Sequence, residues 1–156
     1  MTSIYPFNST GAVFDLGLHA GFVIARRLVR RPEYRWHKAA VDQLNELVAL
    51  ERGWDGYRAG PVRFDTANFA LQMLESACCD DTPCPQIVPG TDGDLQIEWH
   101  FENGDIELHV RGPLQVSAWA MINDVEHTAE LTNDFTVAAE WLSSMAGQQV
   151  AAAAAA

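Results

Sequence analysis

The sequence predicts one α+β domain: helices first, then an antiparallel meander, then a closing helix. Three observations carry that prediction. Between Glu33 and Glu51 the apolar residues Trp36, Ala40, Val41, Leu44, Leu47 and Val48 recur at three- and four-residue steps, the repeat of an amphipathic helix. From Asp94 to Phe101 the apolar residues fall at odd positions, and from Asp105 to Val110 at even ones, with Asn103-Gly104 between them as a favoured hairpin turn. A last helical stripe of Phe135, Ala138, Ala139, Leu142 and Met145 closes the chain.

Taken in order, residues 1–12 are turn-rich and read as an arm or edge segment. Residues 14–30 read as a helix weakened by Gly17 and Gly21. Pro32 suits the first turn of the next helix, 33–51, and Gly53 stands where a left-handed C-cap is expected. Asp65 is a candidate N-cap for a helix over 65–78, with Phe64 and Phe69 spaced as a hydrophobic staple. Three to four strands follow, at 94–101, 105–111, 114–122 and 125–131, with further turns at Asp92-Gly93 and Asn123-Asp124, and then a helix over 133–145.

A two-residue Asn103-Gly104 turn sets an expected register. Phe101 then opposes Ile106, Trp99 opposes Leu108 and Ile97 opposes Val110, so every apolar residue shares one face. On the other face His100 opposes Glu107 and Glu98 opposes His109, with Trp119 and Met121 beside them. One face should pack on helices.

The domain is expected to span residues 13–150, a length that suits one core, and the alanine run 151–156 is set aside as a tail. No stretch approaches the length of an apolar membrane span. The apolar run Leu16–Ala25 carries His19 and precedes its basic cluster, the reverse of a secretory signal. Cys78, Cys79 and Cys84 are odd in number and fit reduced thiols, so a cytoplasmic location is expected.

Charge is unevenly spread. Residues 1–38 carry six basic side chains (Arg26, Arg27, Arg30, Arg31, Arg35, Lys38) against two acids, a net +4; the rest carries four against nineteen, a net −15. Such a body repels nucleic acid and attracts basic surfaces. The basic segment can pair with that body, meet a protein partner or touch phosphate.

Few patterns carry chemistry. Glu98, His100, Glu107 and His109 could bind a metal or relay protons, against the plainer reading of an ion-paired sheet face. The cysteines lack paired zinc spacing and read as small fillers. No phosphate-binding glycine loop, nucleophile elbow or zinc-protease helix is present, so no catalytic residue and no cofactor is assigned. In Gly53-Trp54-Asp55-Gly56-Tyr57, Asp55 suits a backbone acceptor in a turn, and Trp54 and Tyr57 suit packing between helices, with partner contact as a second role.

That loop, with Pro85, Ile87, Pro89, Asp92, Gly93, Glu98 and Trp99, resembles a loose group of small uncharacterised bacterial proteins. They share a Gly-Trp-Asp-Gly-Tyr loop and a Pro-x-Ile-x-Pro, Asp-Gly, Glu-Trp entry to a sheet. The likeness covers residues 50–110 and implies bacterial origin and a shared fold, with no catalytic residue. The basic N-terminal segment and the cysteine cluster depart from it.

Together these readings point to a non-enzymatic acidic interaction subunit, such as an antitoxin, immunity protein or accessory component of a defence or toxin–antitoxin system. Its expected partner is a protein with a basic surface, met without a membrane. Partner-contact candidates are Trp54, Asp55, Tyr57, Trp119, Arg26, Arg27, Arg30 and Arg31. The alternatives are an enzyme or small-ligand or metal binder using Glu98, His100, Glu107 and His109, and a nucleic-acid regulator binding through 26–38.

Overall fold

A computed structural model of the chain describes residues 34–155. The expected helix over 14–30 and Arg26, Arg27, Arg30 and Arg31 lie outside them. The described residues form an α+β fold in the order α1 (His37–Val48), α2 (Phe64–Ala77), β1 (Gln86–Pro89), β2 (Leu95–Phe101), β3 (Gly104–Gly112), β4 (Gln115–Ile122), β5 (Val125–Leu131) and α3 (Thr136–Ala155). The strands make one antiparallel sheet in chain order. All three helices pack on the same side of it.

Helix α1 is shorter than the periodicity suggests. Residues before it form a turn in which His37 N–H donates to the Tyr34 carbonyl, and Trp36 is pinned by its indole N–H to the Cys79 carbonyl at 3.0 Å. The helix buries His37, Ala40 and Leu44, a three-and-four spacing. It ends at Ala49 in a right-handed conformation, so Gly53 is not its C-cap. Instead Gly53, at φ +82°, donates to the Ala59 carbonyl at 2.7 Å and closes a loop of its own.

Helix α2 begins at Phe64, one residue before its expected start, and Arg63 rather than Asp65 is its N-cap. Asp65 lies inside the first turn and accepts the Thr66 N–H at 2.9 Å, where its charge still favours the helix end. Arg63 holds this start against the sheet. Its backbone N–H donates to the Gly93 carbonyl, and its guanidinium reaches the carbonyls of Asp92 and Arg111. Phe64 is half-buried against the core rather than outside the helix.

The sheet has a fifth strand, β1, that alternation does not announce. Four residues between Pro85 and Gly90 are too few for a period-two signal. The free edge of β1 is blocked by α1: Gln43 accepts the Ile87 N–H at 2.9 Å and donates to the Pro85 carbonyl at 3.0 Å.

The β2–β3 register differs from the expected one by two residues. Trp99 opposes Ile106, Ile97 opposes Leu108 and Leu95 opposes Val110, while Phe101 opposes Gly104. The turn is therefore Glu102-Asn103. Gly104 belongs to β3 because β4 runs hard against it: a Cβ there would lie 1.8 Å from the Met121 carbonyl oxygen. A slip of two keeps every side chain on its face, since the strand period is two. The inner face of Leu95, Ile97, Trp99, Ile106, Leu108, Val110, Val116, Ala118 and Ala120 is buried as expected.

The β4–β5 turn follows its sequence. Asn123 and Asp124 sit at φ +50° and +65°, the paired left-handed conformations that a two-residue hairpin favours. Helix α3 starts later than expected, at Thr136, whose N–H and hydroxyl both donate to Asp134. It buries Ala138, Leu142, Met145 and Ala146 and runs on through the alanine run to Ala155, ten residues past its expected end.

Candidate functional site

With the helices on one side, the other face of the sheet is open among the described residues. Its alternating side chains form three rows across the strands. Register aligns Gln96, His109, Ser117 and Glu130 in the first, Glu98, Glu107, Trp119 and Thr128 in the second, and His100, Asp105, Met121 and Glu126 in the third. The twist of the strands dishes the first two rows into a shallow concavity of about 530 Å³, floored by Trp119 and walled by Glu107, His109 and Glu130.

Each row handles its charge differently. In the first, Arg111 leans across from a β-bulge at the end of β3: it donates to Ser117 Oγ at 2.7 Å and to Glu130 at 3.2 Å, and Ser117 donates to Glu130 at 2.9 Å. In the third, His100 Nδ1 meets Asp105 at 2.7 Å. That hydrogen bond raises the imidazole above its ordinary value and outweighs its partial desolvation. The second row sets Glu98 directly opposite Glu107, a like-charged pair that strands ordinarily avoid. Glu98 has His100 Nε2 at 3.5 Å; Glu107 accepts a neutral hydrogen bond from Gln96 at 2.9 Å and has no cation among the described residues.

The shifted register undoes the expected quartet. His100 faces Asp105 rather than Glu107, and Glu98 faces Glu107 rather than His109. His109 turns to Asp94, just before β2, at 2.5 Å. Burial pushes the Asp94 carboxyl up, but the bonds it accepts from His109, Asp92 and its own backbone hold it below its ordinary value. Among the described residues no group of three or more His, Cys, Asp or Glu side chains is placed to hold a metal. A partner for His100 was legible at Asp105 once the register is right; Asp94 lies off the strand and gave no signal. Thr128 and Glu130 show as the polar phase of β5.

Trp119 is half-buried, and its indole N–H is tied to Glu126 at 2.9 Å, which fixes the ring plane. The other expected contact residues lie elsewhere, in the α1–α2 loop. Asp55 accepts the N–H groups of Tyr57 at 2.9 Å and Ala59 at 3.1 Å, the turn role its sequence suggests. Trp54 is 36% exposed and donates to the Gly60 carbonyl, while Tyr57 is 86% exposed. Tyr57 therefore packs no corner between helices. The loop closes on its own backbone bonds, which leaves the phenol outside.

The cysteines share no site. Cys78 is buried, and burial pushes its thiol up to about 12, with Cys79 and Cys84 adding to the effect. Cys79 and Cys84 are exposed rather than core fillers; a hydrogen bond with Thr82 lowers the Cys79 thiol. Of the basic segment, Arg35 lies 3.8 Å from Asp80, and Lys38 pairs with Asp42 one helical turn on.

Compared with known proteins, the chain matches no family model, no curated protein and no solved structure. Among the described residues no helix is long and apolar enough to cross a membrane.

Proposed function

We propose that the protein is a non-enzymatic acidic interaction subunit whose open sheet face takes a basic surface of a protein partner. The observation that carries this reading is the sidedness of the sheet. The helices pack on one side and leave the other with Glu98, Asp105, Glu107, Glu126 and Glu130 around a half-buried tryptophan. An aromatic anchor within a charged rim is the anatomy of a specific contact surface, and complementary charge speeds encounter with a basic partner. The net −15 beyond residue 38 extends the same field. Antitoxins, immunity proteins and accessory subunits of bacterial cytoplasmic systems are the class this chemistry serves.

A second reading, as a small-ligand binder or enzyme, draws on His109, oriented by Asp94 and opening on the concavity. Its cross-strand neighbour Ser117 is already engaged by Arg111 and Glu130, so the pair has no free hydroxyl to activate. A nucleic-acid role through 26–38 loses support where Arg35 and Lys38 meet acids of their own chain.

The test is a native co-purification followed by titration of the identified partner against salt. The expected partner carries a basic surface, and its affinity falls as ionic strength rises. A partner that binds independently of salt, or one displaced by substitutions on the helical side and not by Glu107→Gln with Glu130→Gln, overturns the reading.

A further inference from the structure

Resting on that reading, we propose that the middle row of the open face is a receptor for an arginine side chain of the partner. The guanidinium lies along the indole of Trp119 and bridges Glu107 and Glu98.

The argument starts from the comparison of rows. In the first and third rows Glu130 and Asp105 each meet a cation, Arg111 and His100, while Glu126 accepts the neutral Trp119 indole N–H. The middle row alone places two carboxylates face to face; its Glu98 has His100 at 3.5 Å, and its Glu107 has only the neutral Gln96 amide. Directly opposed like charges destabilise a sheet. A cation from outside relieves the pair, and the concavity of about 530 Å³ opens over Glu107 and Trp119 to admit one.

The chemistry favours guanidinium over ammonium. The indole is held by its N–H to Glu126, so its ring plane is fixed, and a planar guanidinium stacks on such a ring while also donating in its own plane. Acceptors flank the ring along the row: Glu107 on one side, with Glu98 one strand beyond it, and the exposed Thr128 hydroxyl on the other. One strand-row away the chain already uses this solution, with Arg111 forked between Ser117 and Glu130. The surrounding charge selects a basic protein segment and repels nucleic acid.

The test follows the five tryptophan indole N–H resonances of the full chain by NMR, with that of Trp119 assigned by Trp119→Phe. The probes are N-acetyl-arginine amide and N-acetyl-lysine amide, then a short peptide carrying two arginines and its lysine counterpart. The expected result is a saturable shift of the Trp119 resonance, with arginine probes about 10-fold tighter than lysine ones. Glu107→Gln should weaken the arginine probe about 10-fold, as loss of a charge-assisted contact does. Glu46→Gln, the same charge change on exposed α1 surface, should leave it unaltered.

Equal responses to arginine and lysine, or an unaltered response in Glu107→Gln, overturn the site. A Trp119 resonance that moves without any probe when Arg26, Arg27, Arg30 and Arg31 are all changed to Gln places the chain's own segment there, and overturns the partner as occupant. If Glu107→Gln still retains the co-purified basic partner at full, salt-sensitive affinity, the arginine site fails while the interaction reading stands.

Discussion

The two faces of the sheet are built from the same strands and obey opposite rules. The face toward the helices is a continuous layer of Leu, Ile, Val, Trp and Ala, where fit is set by volume and every atom has a neighbour. The open face is a lattice of paired charges, where each row is settled by which donor reaches which carboxylate. The first face stabilises the fold through burial; the second contributes little to stability and keeps its chemistry available. That division teaches where to look for function, because residues that hold the fold are hidden from partners.

The sharpest way to break the comparison is to truncate one residue from each face. Leu108 is fully buried, and Leu108→Ala should cost about 2–5 kcal/mol from lost burial and the cavity left behind. Thr128→Ala, on the open face, should stay within about 0.5 kcal/mol. Urea denaturation read by circular dichroism decides it; equal losses at the two sites would dissolve the distinction between scaffold and surface.

Gly104→Ala probes the seam that both faces share. At φ +149° the backbone itself should penalise alanine by about 1–3 kcal/mol, and the added methyl must also displace the Met121 carbonyl. A melting temperature unchanged by this substitution would mean that β3 slips back to the Asn103-Gly104 turn, and backbone NMR contacts between Phe101 and residue 106 would reveal that register.

The smallest effect belongs to the open face alone. His100 is raised by the hydrogen bond it donates to Asp105, so its folded value lies above its unfolded one. The stabilisation is fully present below the unfolded value, about pH 6.5, and is lost as pH rises through the folded value. In an NMR titration, Asp105→Asn should bring the His100 midpoint down toward the ordinary histidine value. A midpoint indifferent to that change would remove the third row's ion pair from the picture.

How far the site was legible follows the same division. Alternation in β2 and β3 by itself assigns Glu98, His100, Glu107 and His109 to the outer face, and period two guarantees that assignment in either register. Which of them meet was not legible. A slip of two residues leaves the pattern intact yet exchanges every partner, so His100 found Asp105 and Glu98 found Glu107. Trp54 and Tyr57 misled for a related reason: aromatic side chains signal packing only where another element arrives to cover them, and none covers Tyr57 among the described residues.

By itself the sequence determined the α+β class, the order of the described helices and of the four strands of the meander, the inward and outward faces, and the turn at Asn123-Asp124, because periodicity and turn conformation are local properties of the chain. Tertiary structure alone decided the register of β3, the edge strand β1 and the charge left unmatched at Glu107. Each depends on a neighbour distant in sequence: the Met121 carbonyl that admits only glycine at 104, the Gln43 side chain that seals β1, and the opposing carboxylate of Glu98.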